Sequence, residues 1–161
     1  MTFLERTTDV KRLRHVDVDM SVDYIYTSGI AGERFFKALR DEGRILAVHC
    51  PVCKVNQLPP RMFCERCFTE LKDFVDVTRE GRVAAVTVAR VDRHGQPLPT
   101  PAVYAFVTFR GVQEGGLIHR LLVVPEKARP GLVVRARLKP KEARAGTILD
   151  IEGFEPVASQ G

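Results

Sequence analysis

Two hydrophobic periods divide this chain. Between Ser28 and Gly43 the apolar side chains Ala31, Phe35, Ala38 and Leu39 recur at helical spacing. That segment reads as a helix, with Ser28 placed to cap its start and Gly43 offering a left-handed stop after Arg40, Asp41 and Glu42. The Phe35–Phe36 pair is bulky for so short a helix, so part of it packs on another element. The core of this chain and the surface of a partner both satisfy the pattern. From Arg82 onwards the period is that of strands. Arg82–Val91, Val103–Arg110, Leu117–Val124, Leu132–Lys139 and Ile148–Phe154 are rich in Val, Ile, Leu and Thr. The segments DRHGQPLPTP, GVQEGG, PEKARPG and PKEARAG separate them as turns.

Five short strands with no room for a long helix predict a small closed barrel, and the five-stranded Greek-key barrel of that size is the OB-fold. Two of the strands are apolar on both faces. Val103, Ala105, Val107 and Phe109 alternate with Tyr104, Phe106 and Thr108, while Leu117, Leu121 and Val123 alternate with Ile118, Leu122 and Val124. A small barrel has one inward face, so the second apolar face needs a cover from the helix, the central segment or an obligate partner. Near the start, Val16, Val18, Met20 and Val22 alternate with Asp17, Asp19, Ser21 and Asp23. An acidic-faced extended arm and a polar tail fit that pattern equally.

Composition narrows the class. With 45% hydrophobic and 28% charged residues among 161, the chain is too apolar for a disordered protein. No run approaches the roughly 18 consecutive apolar residues of a membrane helix, and no signal-peptide core follows the start, so a soluble cytoplasmic protein is expected. The net charge of +5 is unevenly placed: residues 1–80 carry 13 basic and 13 acidic side chains, whereas residues 81–161 carry 12 and 7, and 12 − 7 = +5. On the fourth predicted strand Arg135, Arg137 and Lys139 alternate with Val134, Ala136 and Leu138, and Lys141 and Arg144 extend the run. Such a stripe can track the phosphates of nucleic acid or of a nucleotide-containing cofactor, or it can be a solvated outer face.

The chemistry concentrates in the middle. Cys50, Cys53, Cys64 and Cys67 form CPVC, ten intervening residues, then CERC. Two C-x2-C knuckles can wrap four thiolates tetrahedrally around one zinc. Disulfides fit less well, because no secretory signal supports an oxidising compartment and adjacent pairs make tight, poor bridges. A thioredoxin-like redox motif lacks its βαβ context. Four cysteine ligands close the shell, so this zinc is structural rather than catalytic. Between the knuckles, Pro59 and Pro60 suit the turn of a small ribbon. The residue after each second cysteine, often glycine, is Lys54 in one knuckle and Phe68 in the other, so each turn must tolerate a side chain. His49 adjoins Cys50, yet four thiolates already fill the shell.

Catalytic constellations are scarce. No GxSxG, Walker A or GxGxxG run appears, and the serines are Ser21, Ser28 and Ser159. His15, His49, His94 and His119 are scattered, and His119 on a predicted strand has no visible carboxylate partner. No catalytic residue is assigned, and the chain is not expected to be an enzyme alone.

The order SGIAGERFFKALRDEGRILAVHCPVC, then LPPRMFCERC, then a five-stranded barrel resembles the rubredoxin-like zinc-ribbon and OB-fold proteins that accompany thiolases and related acyl-CoA enzymes. The resemblance covers about residues 24–157, and the knuckle glycines and the long N-terminal extension are its departures. It implies a non-catalytic accessory subunit in a hetero-oligomer, with the catalytic residues on a thiolase-like large subunit. The small subunit would assemble the complex and assist binding of the coenzyme A thioester as a shared ligand. The AGERFF and FCERCF wording is similar to degradative branches that include the small subunit of benzylmalonyl-CoA thiolase-type enzymes.

The expected architecture is therefore mainly β: an N-terminal arm and helix over 1–44, a four-cysteine zinc ribbon over 45–76, and a five-stranded OB-fold barrel over 77–158. Arg135, Arg137 and Lys139 are the candidate contacts for CoA phosphates. The alternative class is a zinc-ribbon and OB-fold module that binds nucleic acid. It is less favoured, because base stacking wants aromatics beside the basic groove, and the chain has no Trp and 3 Tyr.

Overall fold

The computed structural model describes residues 27–157 except Arg79 and Arg93, together with Asp9 and Lys11. The alternating segment Val16–Val22 lies outside the described residues. Helix α1 (Gly29–Asp41) buries Ala31, Phe35, Ala38 and Leu39, the four positions its periodicity marks. Gly43 ends it at φ +69°, as a left-handed stop requires. Ser28 stands at the N-cap position, yet its hydroxyl makes no capping bond. Its backbone (φ −72°, ψ −6°) is already helical, and a capping side chain needs the extended conformation that turns it back over the first turn.

Two sheets follow. In the first, β1 (Leu46–Cys50) lies between β2 (Val55–Leu58) and β3 (Asp73–Asp76), antiparallel to both. A short strand from much later in the chain, β6 (Glu114–Gly115), then joins β2 in parallel. The second sheet has the order β7-β5-β4-β8-β9. It comprises β4 (Gly81–Val91), β5 (Pro97–Phe109), β7 (Leu117–Arg120), β8 (Val133–Leu138) and β9 (Ile151–Pro156). Its two ends meet where Leu121 and Phe154 form a parallel bridge and Leu122 N–H donates to the Phe154 carbonyl at 2.7 Å. This strand order with a parallel closure is that of an OB-fold barrel.

Alternation along the strands sorts side chains between two cores. Val83, Val103, Ala105, Val107, Phe109, Leu117, Leu121, Val134, Ile151 and Phe154 fill the barrel, and Phe35, Leu39 and Ile45 seal it from the helix side. In β1 and β2, Ala47 and Leu58 face that same core, while Val48, Cys50 and Val55 join Cys64 and Leu71 in a separate small one. The ribbon thus contributes to a shared core and has one small core of its own.

Three strand boundaries differ from the sequence pattern by more than two residues. β5 begins at Pro97, inside a segment that reads as a turn. Pro97, Pro99 and Pro101 share one edge of the strand, and over this stretch β5 pairs with β4 alone, so the missing donors fall on the unpaired edge. β7 stops at Arg120 rather than Val124, because the chain turns into a short 3-10 segment at Pro125–Lys127. β9 starts at Ile151, after a 3-10 turn at Ile148–Asp150 that Asp150 holds together.

The joint between ribbon and barrel depends on Gly115. At φ +85°, a Cβ there would lie 1.9 Å from the Leu58 carbonyl oxygen, so only glycine lets the two backbones meet. Gly116 N–H donates to Leu58 O at 2.9 Å and Gln113 N–H to Asn56 O at 3.1 Å, while Asn56 Nδ2 reaches Gly111 O at 2.7 Å.

Candidate functional site

Each cysteine pair sits on a knuckle built by its own backbone. Lys54 N–H donates to Cys50 O and Phe68 N–H to Cys64 O, both at 2.9 Å. Each turn closes with a residue at left-handed φ, +57° at Lys54 and +58° at Phe68. These non-glycine residues occupy the strained position that the sequence marks, a local cost of about 1–2 kcal/mol each. The knuckles bring four sulfurs together within 4.8 Å of one another. Cys50 Sγ lies 3.6 Å from Cys67 Sγ, and Cys53 Sγ 3.8 Å from Cys64 Sγ.

Those separations exclude disulfides, whose sulfurs bond at about 2.05 Å. They fit a metal instead: four sulfurs each about 2.3 Å from one zinc stand about 3.8 Å apart on the tetrahedron's edges. The thiols also share charge unevenly. The Thr69 hydroxyl and backbone pull Cys67 down to about 6, and the hydrogen bond from Cys67, with burial, pushes Cys53 up to about 12. Cys50 and Cys64 are fully buried. A closed set of four thiolates, two of them buried, could hold a metal such as zinc and would leave no position for substrate. His49 takes no part, since its Nδ1 pairs with Asn56 Oδ1 at 2.7 Å across β1 and β2.

The double-faced strands behave as their pattern requires. Their inner faces fill the barrel, and part of the outer face stays open. Phe106 and Ile118 from the barrel, Phe36 from α1, Pro59 and Pro60 from the inter-knuckle turn, and Ile148 line an apolar groove of about 460 Å³. Ile118 beside it is 73% exposed, and Leu149 is 64% exposed. The helix covers only part of the second apolar face.

The basic stripe runs along β8, where Arg135 and Arg137 are ion-paired, and on to Lys139, which makes no salt bridge among the described residues. Arg135 Nε donates to Glu155 Oε1 at 2.8 Å, and Arg137 Nε to Glu152 Oε2 at 2.9 Å, across the β8–β9 register. Arg144 Nε caps the Lys139 carbonyl at 2.8 Å instead of facing outward as free charge. Exposed pairs of this kind contribute little stability. They do offset two of the positive charges that the stripe carries.

Two buried polar groups belong to the frame of the site. His119 is 8% exposed and packs edge-on against Phe154, with ring centroids 6.2 Å apart. Burial holds its pKa below the usual histidine value, so it is neutral at pH 7. Asp150 has no sequence signal of its own, yet its carboxylate accepts the N–H groups of Ala145 (2.9 Å), Gly146 (2.7 Å) and Thr147 (3.2 Å). Burial alone would raise its pKa, but the three donors outweigh burial and hold it below the usual carboxylate range. A group depressed in this way stabilises the fold fully above its unfolded-state value of about 3.9, and the contribution fades as pH falls through the folded value. Asp150→Asn should therefore cost about 1–3 kcal/mol at pH 7. The gap to the native chain should narrow below about pH 4. Urea unfolding at pH 7 and pH 3 measures both, and a gap that widens on acidification would contradict this role.

No protein-family model matches this sequence, and no curated protein matches it. Solved structures share its fold. One is a DUF35-family protein of unknown function from Sulfolobus solfataricus, 28% identical with a TM-score of 0.59, covering 67% of this chain and 78% of that one. Another is a chain of an Ltp2–ChsH2(DUF35) aldolase, 23% identical with a TM-score of 0.55, covering 76% of this chain and 91% of that one. The helix, ribbon and barrel are thus a DUF35-like fold. No helix among the described residues is long and apolar enough to cross a membrane.

Proposed function

We propose that this chain belongs with the DUF35 proteins and serves as a non-catalytic partner subunit of an acyl-CoA-processing enzyme. In this reading it docks a thiolase-like large subunit that carries the catalytic residues, and it assists binding of the CoA thioester. The observation that carries the reading is the uncovered apolar face around Phe36, Phe106 and Ile118. A monomer gains nothing from a strand residue as exposed as Ile118, whereas a stable interface wants such residues at its centre. The fold likeness to a chain of the Ltp2–ChsH2(DUF35) aldolase supports a role beside an enzyme subunit. The closed thiolate site supports a structural rather than a catalytic use of the metal. The AGERFF and FCERCF segments favour a degradative setting of the benzylmalonyl-CoA thiolase type.

The same proposal assigns Arg135, Arg137 and Lys139 to the phosphates of CoA. Their glutamate partners make this an exchange: a phosphate would replace Glu155 and Glu152 on the arginine forks. Reconstitution with a candidate thiolase-like large subunit tests both parts. Ile118→Asp should abolish co-elution, since a charge at the interface centre would be buried without a partner. Arg135→Glu with Arg137→Glu should leave assembly intact and weaken CoA-ester binding about tenfold or more, as lost charge-assisted contacts do. Unchanged ester affinity removes the stripe from the site, and unchanged co-elution of Ile118→Asp removes the groove.

A further inference from the structure

Gln57 is the buried polar residue that the four ligands do not account for. It lies on β2, at the joint between ribbon and barrel, with 0% exposure. Its Nε2 donates to two acceptors, Glu114 Oε2 at 2.5 Å and Cys64 Sγ at 3.6 Å, while its Oε1 has no partner. Glu114 is in turn ion-paired with Arg66, which sits inside the second knuckle between Cys64 and Cys67.

An amide can be turned end for end within the same shape, so its surroundings decide which way it faces. Here they leave one choice. Turned about, Gln57 would aim its oxygen at a carboxylate and a sulfur, neither of which donates to it when ionised. The observed orientation leaves one buried oxygen unpartnered in order to place both N–H groups on anionic acceptors. Around a divalent ion, four thiolates carry a net charge of −2, so every donor to sulfur stabilises the loaded site. Cys53 N–H serves Cys50 Sγ at 3.3 Å, and the Thr69 hydroxyl lies 3.2 Å from Cys67 Sγ. Gln57 adds a side-chain donor that comes from the sheet and not from the knuckles.

We infer that Gln57 is a positioning residue for the metal centre: it donates to the Cys64 thiolate, is held in that orientation by the Glu114–Arg66 pair, and so tunes how tightly the site holds its ion. The inference rests on the reading of the four cysteines as a metal site. It also makes the metal centre sensitive to a residue of the barrel half, since Glu114 belongs to the strand that joins the two sheets.

Cobalt(II) bound by the full chain gives separate readouts for the two claims. The native chain should show a thiolate-to-cobalt charge-transfer band of a tetrahedral site; its absence overturns the metal reading and the inference together. Gln57→Met, which removes the donor at similar size, should weaken zinc affinity about 10–100-fold in chelator competition. It should also move the band to lower energy, because an undamped thiolate gives up charge more readily. Glu114→Ala should move the band the same way by a smaller amount, and Glu114→Gln, whose carbonyl can still accept from Gln57, should restore it. A merely structural role would weaken folding without moving the band. Native affinity and an unmoved band in both Gln57→Met and Glu114→Ala overturn the inference. Should Gln57→Met fail to fold, Glu114→Ala against Glu114→Gln decides it alone: a shift that glutamine reverses supports the role, and no shift overturns it.

Discussion

Stripping the metal with a chelator, or replacing Cys50 with serine, should unfold the ribbon while the barrel keeps its strands. The ribbon's own core is Val48, Val55 and Leu71 around the cysteines, too few apolar side chains to order two knuckles held at left-handed φ. Structural zinc supplies on the order of 10–16 kcal/mol to small modules of this kind. Without it, the buried sulfurs Cys50 and Cys64 lose the ion that justifies bringing four thiolates together. Limited trypsin digestion reads the outcome directly, because Lys54, Arg61 and Arg66 lie in the ribbon. The native chain should resist cleavage there, and the stripped chain should be cut at those sites before the barrel is. Equal resistance in both would contradict a structural metal.

Phe154→Ala should remove about 3–5 kcal/mol, a large part of the stability of a domain this size. Phe154 has no exposed surface and stands where the barrel closes. Its ring meets Phe109 edge-on at 5.9 Å and His119 at 6.2 Å, so the substitution empties space bordered by three elements. The cavity would also adjoin the unpartnered Nδ1 of His119, which invites water into the barrel. Denaturant unfolding with an unchanged slope would report the loss as stability alone. A cost below about 1 kcal/mol would mean that neighbouring side chains fill the space and that Phe154 is not the keystone of closure.

What the sequence discloses here is what short-range pattern controls. Both knuckles are legible because each closes over four residues, and Lys54 and Phe68 take the strained turn that their place after the second cysteine demands. The helix face is legible for the same reason, down to its four buried residues. Features that depend on distant pairing are not. β6 is two residues long and exists only because Gly115 can touch Leu58, so the GVQEGG segment that signals a turn also makes a strand. Arg135 and Arg137 read as free charge until the β8–β9 register sets Glu155 and Glu152 beside them. Gln57 and Asp150 look like surface residues, and their burial follows from partners 57 and 3–5 residues away. Glu152 and Glu155 stand three residues apart in the last strand, a spacing that does not show which strand residues they face.

The groove and the metal centre enter one proposal: a zinc-ordered ribbon would fix the inter-knuckle prolines against α1 and the barrel, and the apolar face so framed would receive an enzyme subunit. The most direct measurement is the mass and composition of the complex formed when this chain is mixed with a candidate thiolase-like large subunit, by light scattering after size exclusion. The account predicts a defined hetero-oligomer with this chain in it, lost on metal stripping and on Ile118→Asp. Two separate peaks under those conditions would contradict it, and a salt-dependent shift of single-stranded nucleic acid by the chain alone would then favour the nucleic-acid class instead.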